Sequence, residues 1–517
     1  MKTETKNLTL FYIGSFLISL LSAYFIWLQT SRYGIGLSPD SVTYLRLSES
    51  ISKEGLIFII QNKDATFPPL YPLVLALFSN IFHADHISFA RWFNIALSFC
   101  FTFLSIFLVR KLTKNLALLF VFGLFISFSR SINLVFSHAW SEPLFIFLLL
   151  LITFTIEKTN YKNLILCSFL STLAILTRYA GVAIVPAVCL YLFIQKNGLP
   201  EKVKKCFCYS VIPTSTYIIY LIRNYYFTKT LMGHRAASNT GLISNCDRAF
   251  STVAFWFSPD KYFFMSVFLI LILGAFVWNY KEDLISYVLN SQKIVIFSAC
   301  FSLVYSSFII ISSTTIAYDL INNRLMSPIF LSILLLLFTF ILFCTHIVLT
   351  AKKREVLAYS MLSIFIVCQL LSFANTWKQD IFSRQKNGAE GYTSTFWQEN
   401  ELLDYIKKHK NDFSATIYSN DPRAFFVINR NIKAKLLPLK KYYNSNETTG
   451  ITLENLSIKI PDFENSYLVY FNSIRLHESF SLEEFQSVCK MENIVENSDG
   501  FIFKVNACDT NYEERNF

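Results

Sequence analysis

"LTLFYIGSFLISLLSAYFIWLQT", residues 8–30, carries no charged side chain, and "GLSPDSVTYLRLSES", residues 36–50, follows almost at once. An uninterrupted apolar run of about 17–25 residues is what crosses a hydrocarbon core as a helix. The second stretch opens with an acid, Asp40, behind a Ser38-Pro39 pair that marks the first turn of a new helix. A chain that leaves lipid and immediately presents a carboxylate raises the question of fold and the question of function together.

The rest of the sequence extends the first reading. Its 517 residues are 53% hydrophobic and only 16% charged, with a mean hydropathy of +0.43. A soluble protein of that length needs far more polar surface. Further apolar runs lie near 87–109, 116–136, 141–157, 163–177, 180–195, 206–226, 263–280, 294–316, 325–350 and 356–376. The fifth and sixth runs abut at Arg178. The expected fold is an α-helical polytopic membrane protein with about eleven transmembrane helices over 1–376 and a small C-terminal extracytoplasmic α/β domain over 377–517.

Charge sets the orientation. The formal net charge is +11, but residues 1–376 hold +14 of it and residues 377–517 hold −3. Basic clusters fall on alternate connections: Lys2/Lys6, Arg110/Lys111/Lys114, Lys158/Lys162, Lys196 to Lys205, Lys281/Lys293 and Lys352/Lys353/Arg354. The positive-inside rule makes these cytoplasmic. The N-terminus is then cytoplasmic in a plasma (inner) membrane, Asp40 and the C-terminal segment are extracytoplasmic, and the first span is an uncleaved anchor. The basic balance orients the chain and implies no nucleic-acid partner.

The first outer loop, 31–86, has structure of its own. Residues 40–54 set Val42, Leu45, Leu47 and Ile51 among polar neighbours, which suits a helix lying in the interface. "FPPLYPLVLALFSNIF", 67–82, is short and broken by prolines, so it predicts a second juxtamembrane helix. Beyond Trp377, "ATIYSN", "SYLVYF" and "GFIFKV" alternate like strands around helical stretches such as "FWQENELLDYIKKHK". The eleven cysteines show no metal-type spacing; Cys489 and Cys508 alone fall in the outer tail, where pairing is open to them.

Two acids and a set of arginines stand out. Asp40 and Glu142, the latter in "HAWSEPLF", both sit behind a serine and beside a proline at a predicted helix start. Helix capping and the helix dipole explain such placement by themselves; a carboxylate at the membrane surface is equally suited to accept a proton from a nucleophile. Arg91, Arg178, Arg223, Arg235 and Arg324 fall on the outer side, against the charge bias. Snorkelling to headgroups accounts for some of them, and a phosphate ligand accounts for several together, because guanidinium forks bind phosphate oxygens in pairs. Asp319 is an alternative partner for Arg324. Tyr44, one turn after Asp40, shares its face, and Tyr71 and His138 complete the expected pocket lining.

"SPDSVTYL", "FPPLYPLVLALFSNIF" leading to "ARWFN", "SEPLF", "LTRYAGVAI", "RNYYFTKTLMGHR" and "NNRLMSPIF" occur in an order that resembles the GT-C class of polyprenyl-phosphate-sugar-dependent glycosyltransferases. The similarity is to the branch holding the protein O-mannosyltransferases and the lipid A aminoarabinose transferases. It implies a catalytic carboxylate at Asp40, a second acid at Glu142, and donor-phosphate contacts among Arg91, Arg178, Arg235 and Arg324. Two positions depart from those families: Ser41 stands where the mannosyltransferases carry Glu, and Phe67 where the aminoarabinose transferases carry Lys. Some relatives use a divalent cation; no ligand cluster in this chain demands one, and no other cofactor is implied.

The resemblance therefore implies a cell-envelope enzyme. It would move a hexosyl or pentosyl unit from a polyprenyl-phosphate-linked sugar, held among membrane lipid, to an extracytoplasmic glycan, lipid or protein, with inversion. The alternative is a lipid-linked glycan transporter or flippase without transferase activity. That reading expects repeated halves and charges near span centres; the sequence shows no repeat, and its acids sit at span ends.

Overall fold

The computed structural model describes residues 2–62, 65–257, 282–283, 287, 293–350 and 376–508, the last stretch without 414, 429–431, 433, 444 and 475. The opening apolar run forms helix α1 (Lys2–Thr30). Its small polar residues Ser15, Ser19 and Ser22 are buried, while Leu10, Ile13, Leu17, Leu20 and Tyr24 are exposed. That inversion of the soluble pattern is the logic of packing in lipid, where close helix approach and interhelical hydrogen bonds hold the interface. Ser22 meets Ser98 at 2.8 Å, and Thr102 donates to Ser22 at 3.0 Å. Both partners lie on α5 (His86–Val109).

Between α1 and α5 run three shorter helices: α2 (Pro39–Glu54), α3 (Leu56–Gln61) and α4 (Leu70–Phe82). The first and last are helices where the sequence predicts them, over 40–54 and within 67–82. α3 is an addition, separated from α2 by Gly55 at φ +70°. It buries none of its side chains against the protein.

Among the described residues, four helices are long and apolar enough to cross a membrane: α1, α5, Lys293–Thr315 and the stretch Asn323–Phe343. A fifth is added if α6 (Leu116–Phe128) and α7 (Arg130–Phe136) are one span. The sequence predicts a single span over 116–136, but the two pieces meet at an angle of 52°. The break lies at Ser129, which caps α7, and Asn133 Nδ2 donates to the carbonyls of Ser127 and Ser129 at 2.8 and 2.9 Å. A side chain that takes over ladder carbonyls is a sufficient cause of a kink.

α8 (Glu142–Ile156), α9 (Tyr161–Thr177) and α10 (Ile184–Ile194) are apolar but short, and α11 (Leu199–Thr228) contains the 206–226 run. Length and composition thus give four or five spans among the described residues, where the sequence count is about eleven; the run at 263–280 and all but Thr376 of the run at 356–376 lie outside the described residues.

The C-terminal part builds a five-stranded sheet in the order β2-β1-β3-β5-β4. The strands are β1 (Ile417–Ser419), β2 (Ala434–Leu436), β3 (Tyr467–Phe471), β4 (Cys489–Asn497) and β5 (Gly500–Cys508). β1 runs parallel to β2 and β3, and β5 runs antiparallel to β3 and β4. Alternation gives the sheet two apolar faces. Ile417, Val469, Phe471 and Ile502 share one continuous core with the helical bundle, whereas Tyr418, Leu468, Phe503 and Val505 pack separately against Phe463, Phe485 and Val488. Cys489 and Cys508 are in register at the end of the β4–β5 pair and are joined by a disulfide.

Candidate active site

The site begins with a cap. Ser41 N–H donates to Ser38 Oγ at 3.3 Å and Ser38 N–H donates to Ser41 Oγ at 3.1 Å, a reciprocal capping box with Pro39 in the first turn. Asp40 therefore needs no role in satisfying backbone amides, and its side chain remains about one-third accessible, at 32%.

Glu142 opens α8, behind Ser141. Sequence suggests that Ser141 caps this helix as Ser38 caps α2, and the structure corrects that expectation. Ser141 is already helical, at φ −77° and ψ −15°, and makes no side-chain cap. Its hydroxyl instead meets the Tyr44 hydroxyl at 3.1 Å and accepts from Arg178 Nη1 at 3.2 Å.

Arg178 occupies the break between α9 and α10, in an extended conformation at φ −151°, followed by a 3₁₀ turn over Tyr179–Ala183. Its Nη1 pairs with Glu142 Oε1. Arg324, on the one-turn helix Asn323–Met326, reaches the same oxygen through Nε at 2.5 Å. Arg324 Nη1 lies 2.7 Å from Asp40 Oδ2 and 3.8 Å from Asp319 Oδ2. Four separate elements and the loop that carries Asp319 thus deliver three carboxylates and two guanidiniums to one place.

The surroundings are aromatic and largely dry. Arg324 lies over the Trp140 ring at 4.7 Å, and Trp140 Nε1 donates to Ser38 Oγ at 2.7 Å. Tyr44 packs edge-on to Tyr71 at 5.2 Å between centroids. Burial pushes both phenols up, so both stay protonated. Partial desolvation and the Asp40 charge, opposed by Arg324, also raise Asp319, although its side chain remains about half accessible. Three buried polar atoms here, Glu142 Oε2, Arg178 Nε and the Tyr71 hydroxyl, have no hydrogen-bond partner among the described residues. Buried polar groups are normally satisfied, so three exceptions in one place call for an explanation such as a catalytic role or a bound water or ion.

The structure thus brings together Asp40, Glu142, Arg178, Arg324, Tyr44 and Tyr71 out of the residues that sequence singles out. It sets the others apart. Arg91 Nε donates to Thr30 Oγ1 at 3.0 Å and lies over Trp92, and the exposed Arg235 donates to the Met232 carbonyl at 3.0 Å. Arg223 clamps the carbonyls of Ile60 and Asn62 at 3.0 and 2.5 Å, which accounts for it without a phosphate. His138 is one layer removed: it stacks on Trp140 at 4.2 Å, with Nδ1 2.8 Å from the Leu134 carbonyl. Burial and the nearby Arg384 guanidinium push its pKa down to about 4. Trp140 and Ser141 were not among the sequence candidates, although both lie within "HAWSEPLF".

Asp40, Glu142 and Asp319 all surround a cation already, the Arg324 guanidinium, and no cluster of three or more His, Cys, Asp or Glu suited to a metal occurs among the described residues. The carboxylate oxygens that face one another here are engaged by a guanidinium, not arranged around an open cation position.

No family model matches this chain, and no curated protein matches it in sequence. Solved structures do match its fold. ArnT from Cupriavidus metallidurans in the apo state aligns over 99% of both chains with a TM-score of 0.58 and 10% identity. The same protein bound to undecaprenyl phosphate aligns over 97% of this chain and 98% of its own, with a TM-score of 0.52 and 10% identity. An Archaeoglobus fulgidus oligosaccharyltransferase tethered to an acceptor peptide aligns over 96% of this chain and 74% of its own, with a TM-score of 0.50 and 10% identity. Both proteins are GT-C glycosyltransferases, and theirs is the fold of this chain.

Proposed function

We propose that this chain is a membrane glycosyltransferase that moves one monosaccharide from a polyprenyl-phosphate donor to a hydroxyl or amine of an extracytoplasmic acceptor, inverting the anomeric carbon. One observation carries the reading: Asp40, one-third accessible, shares Arg324 with the buried Glu142. The fold shared with a protein solved with undecaprenyl phosphate agrees with the donor class.

In the resting arrangement Arg324 is held by carboxylates. A donor phosphate competes with Asp40 for the Nη1 edge, since guanidinium–phosphate pairs are strong and often bidentate. The exchange frees the Asp40 carboxylate and leaves Arg324 on the leaving group. Asp40 then takes the proton from the acceptor as its oxygen or nitrogen attacks the anomeric carbon, and the sugar–phosphate C–O bond breaks with its electron pair on the phosphate. Arg178 and Arg324 stabilise the charge that grows on that phosphate, which lowers the barrier more than it tightens donor binding. Glu142 anchors both guanidiniums and does not itself meet the reacting atoms. A flippase needs none of this convergence, and no contact in the site favours that alternative.

The direct test incubates the purified full chain in lipid nanodiscs with a panel of polyprenyl-phosphate sugars and a cell-envelope acceptor fraction. Release of free polyprenyl phosphate from at least one donor is expected. Folded protein that releases none from any donor overturns the reading.

A further inference from the structure

The loop 388–392 reaches back from the C-terminal part to the start of the helix that carries Asp40. Gly391 pairs with Leu37 as a parallel bridge, and Tyr392 N–H donates to the Leu37 carbonyl at 2.8 Å. On the other edge of the same short stretch, Gly36 pairs with His138. There Gly36 N–H donates to the Ser137 carbonyl at 2.8 Å, and Ala139 N–H donates to the Gly36 carbonyl at 2.9 Å. Residues 36–37 are thus the middle strand of a three-stranded patch, flanked by 137–139 and 391–392. The next residue is Ser38, the cap of α2.

The contact leaves no slack. Gly391 sits at φ +63°, and a Cβ there would lie 2.1 Å from the Leu37 carbonyl oxygen. A Cβ on Gly36 would lie 2.5 Å from the Ala389 carbonyl oxygen. Backbone meets backbone at both positions, so no side chain can swing aside. The loop is itself tied down: Glu390 Oε1 accepts from Arg384 Nε and Nη2 at 3.0 and 2.9 Å, and Arg384 Nη1 donates to Gln29 near the end of α1 at 3.1 Å. Tyr392 donates its hydroxyl proton to Asp421 Oδ1 at 2.7 Å, just after β1.

We propose that loop 388–392 is a positioning element for Asp40: by adding a strand to residues 36–37 it fixes the first turn of α2 and aims the carboxylate at Arg324. The C-terminal part is then a component of the active site although it supplies no reacting group. The proposal rests on Asp40 being the base, as argued above. Misplacing a catalytic group by about 1 Å costs on the order of 100-fold in rate, which a displaced Leu37 carbonyl is well able to cause.

The test compares Gly391→Ala and Gly391→Asn with Gly450→Ala in the full chain. Asn tolerates a positive φ but carries the same obstructive Cβ. Gly450 has a positive φ of +74° and nothing within 4 Å of its added Cβ, so its variant reports backbone strain alone. Both Gly391 variants are expected to lower kcat by roughly 30- to 100-fold, leave the donor KM within about threefold, and speed amide exchange across 36–45 but not across β3 and β5. Gly450→Ala is expected to match the parent. An unchanged kcat, a restored Gly391→Asn, or exchange that rises equally over the sheet overturns the positioning role. If the parent chain transfers no sugar at all, the base assignment fails, and exchange across 36–45 still decides whether the loop pins that segment.

Discussion

Arg324 Nε lies 2.5 Å from Glu142 Oε1, although 182 residues separate the two in the chain. Glu142 is fully buried, so this carboxylate is the fixed point of the site and the guanidinium is aimed by it. The Nη1 edge that remains faces Asp40. Of the two acids that sequence brings forward, one is an anchor and one is accessible, and the predictions separate them.

Asp40→Asn should remove the proton acceptor while leaving the Ser38–Ser41 cap in place. A kcat loss of about 10²–10⁴-fold is expected, with donor binding retained and the thermal midpoint unchanged. Polyprenyl phosphate release under single-turnover conditions reads it. Full turnover by this variant would place proton transfer elsewhere.

Glu142→Ala should act on stability first. Removing one partner of a buried ion pair leaves charge without compensation and costs about 3–5 kcal/mol. The double variant with Arg178→Ala should lose less than the two single losses added together, because the stranded charge is removed with its partner. Thermal unfolding in one fixed detergent checks both statements; an unaltered midpoint for the single variant contradicts the anchoring role.

Arg324→Ala should weaken donor use far more than Arg91→Ala or Arg235→Ala, because only Arg324 among these three contacts Asp40 and Glu142. Donor and acceptor KM values measured separately decide it. Equal effects from all three would mean that phosphate is bound outside the cluster.

His138 supplies a pH test. Its ordinary pKa of 6.5 is pushed down to about 4 in the folded chain. Between those values the unfolded chain binds a proton that the folded chain refuses, so stability is lost as pH falls from about 6.5 towards 4. Burial is the largest cause; of the charges facing the ring, Arg384 and Arg324 add to it and Glu390 opposes it. His138→Asn, whose amide can still donate to the Leu134 carbonyl, should flatten the fall in thermal midpoint between pH 7 and pH 4.5. Parallel curves for the two proteins would rule out this residue as the cause.

Much of this architecture is legible in the residues themselves. Long apolar helices follow from uncharged runs, α2 from its Ser-Pro start, and β1, β3 and β5 from alternating apolar residues. β2 and β4 are not legible: β4, "CKMENIVEN", is an edge strand whose few apolar residues, such as Met491 and Val495, are interleaved with polar ones and shifted by irregularities in register, so no clean alternation shows. Asp40, Glu142, Arg178 and Arg324 could be singled out by their cost at the ends of spans. Their convergence could not, since it depends on a break at Arg178 and a one-turn helix at Arg324. Gly391 carries no local signal whatever; its need arises from a carbonyl more than three hundred residues earlier in the chain.

The short helix α3 presents Leu56, Ile57 and Ile60 outward, and Arg223 grips its carboxyl end. An outward apolar face of this kind suits the boundary between acyl chains and headgroups, and only Gly55 joins α3 to the helix bearing Asp40. A helix at that boundary would act as a keel, its level setting the altitude of the carboxylate. Thinner or thicker bilayers, through acyl length alone, should therefore retune turnover without any lipid touching the reaction.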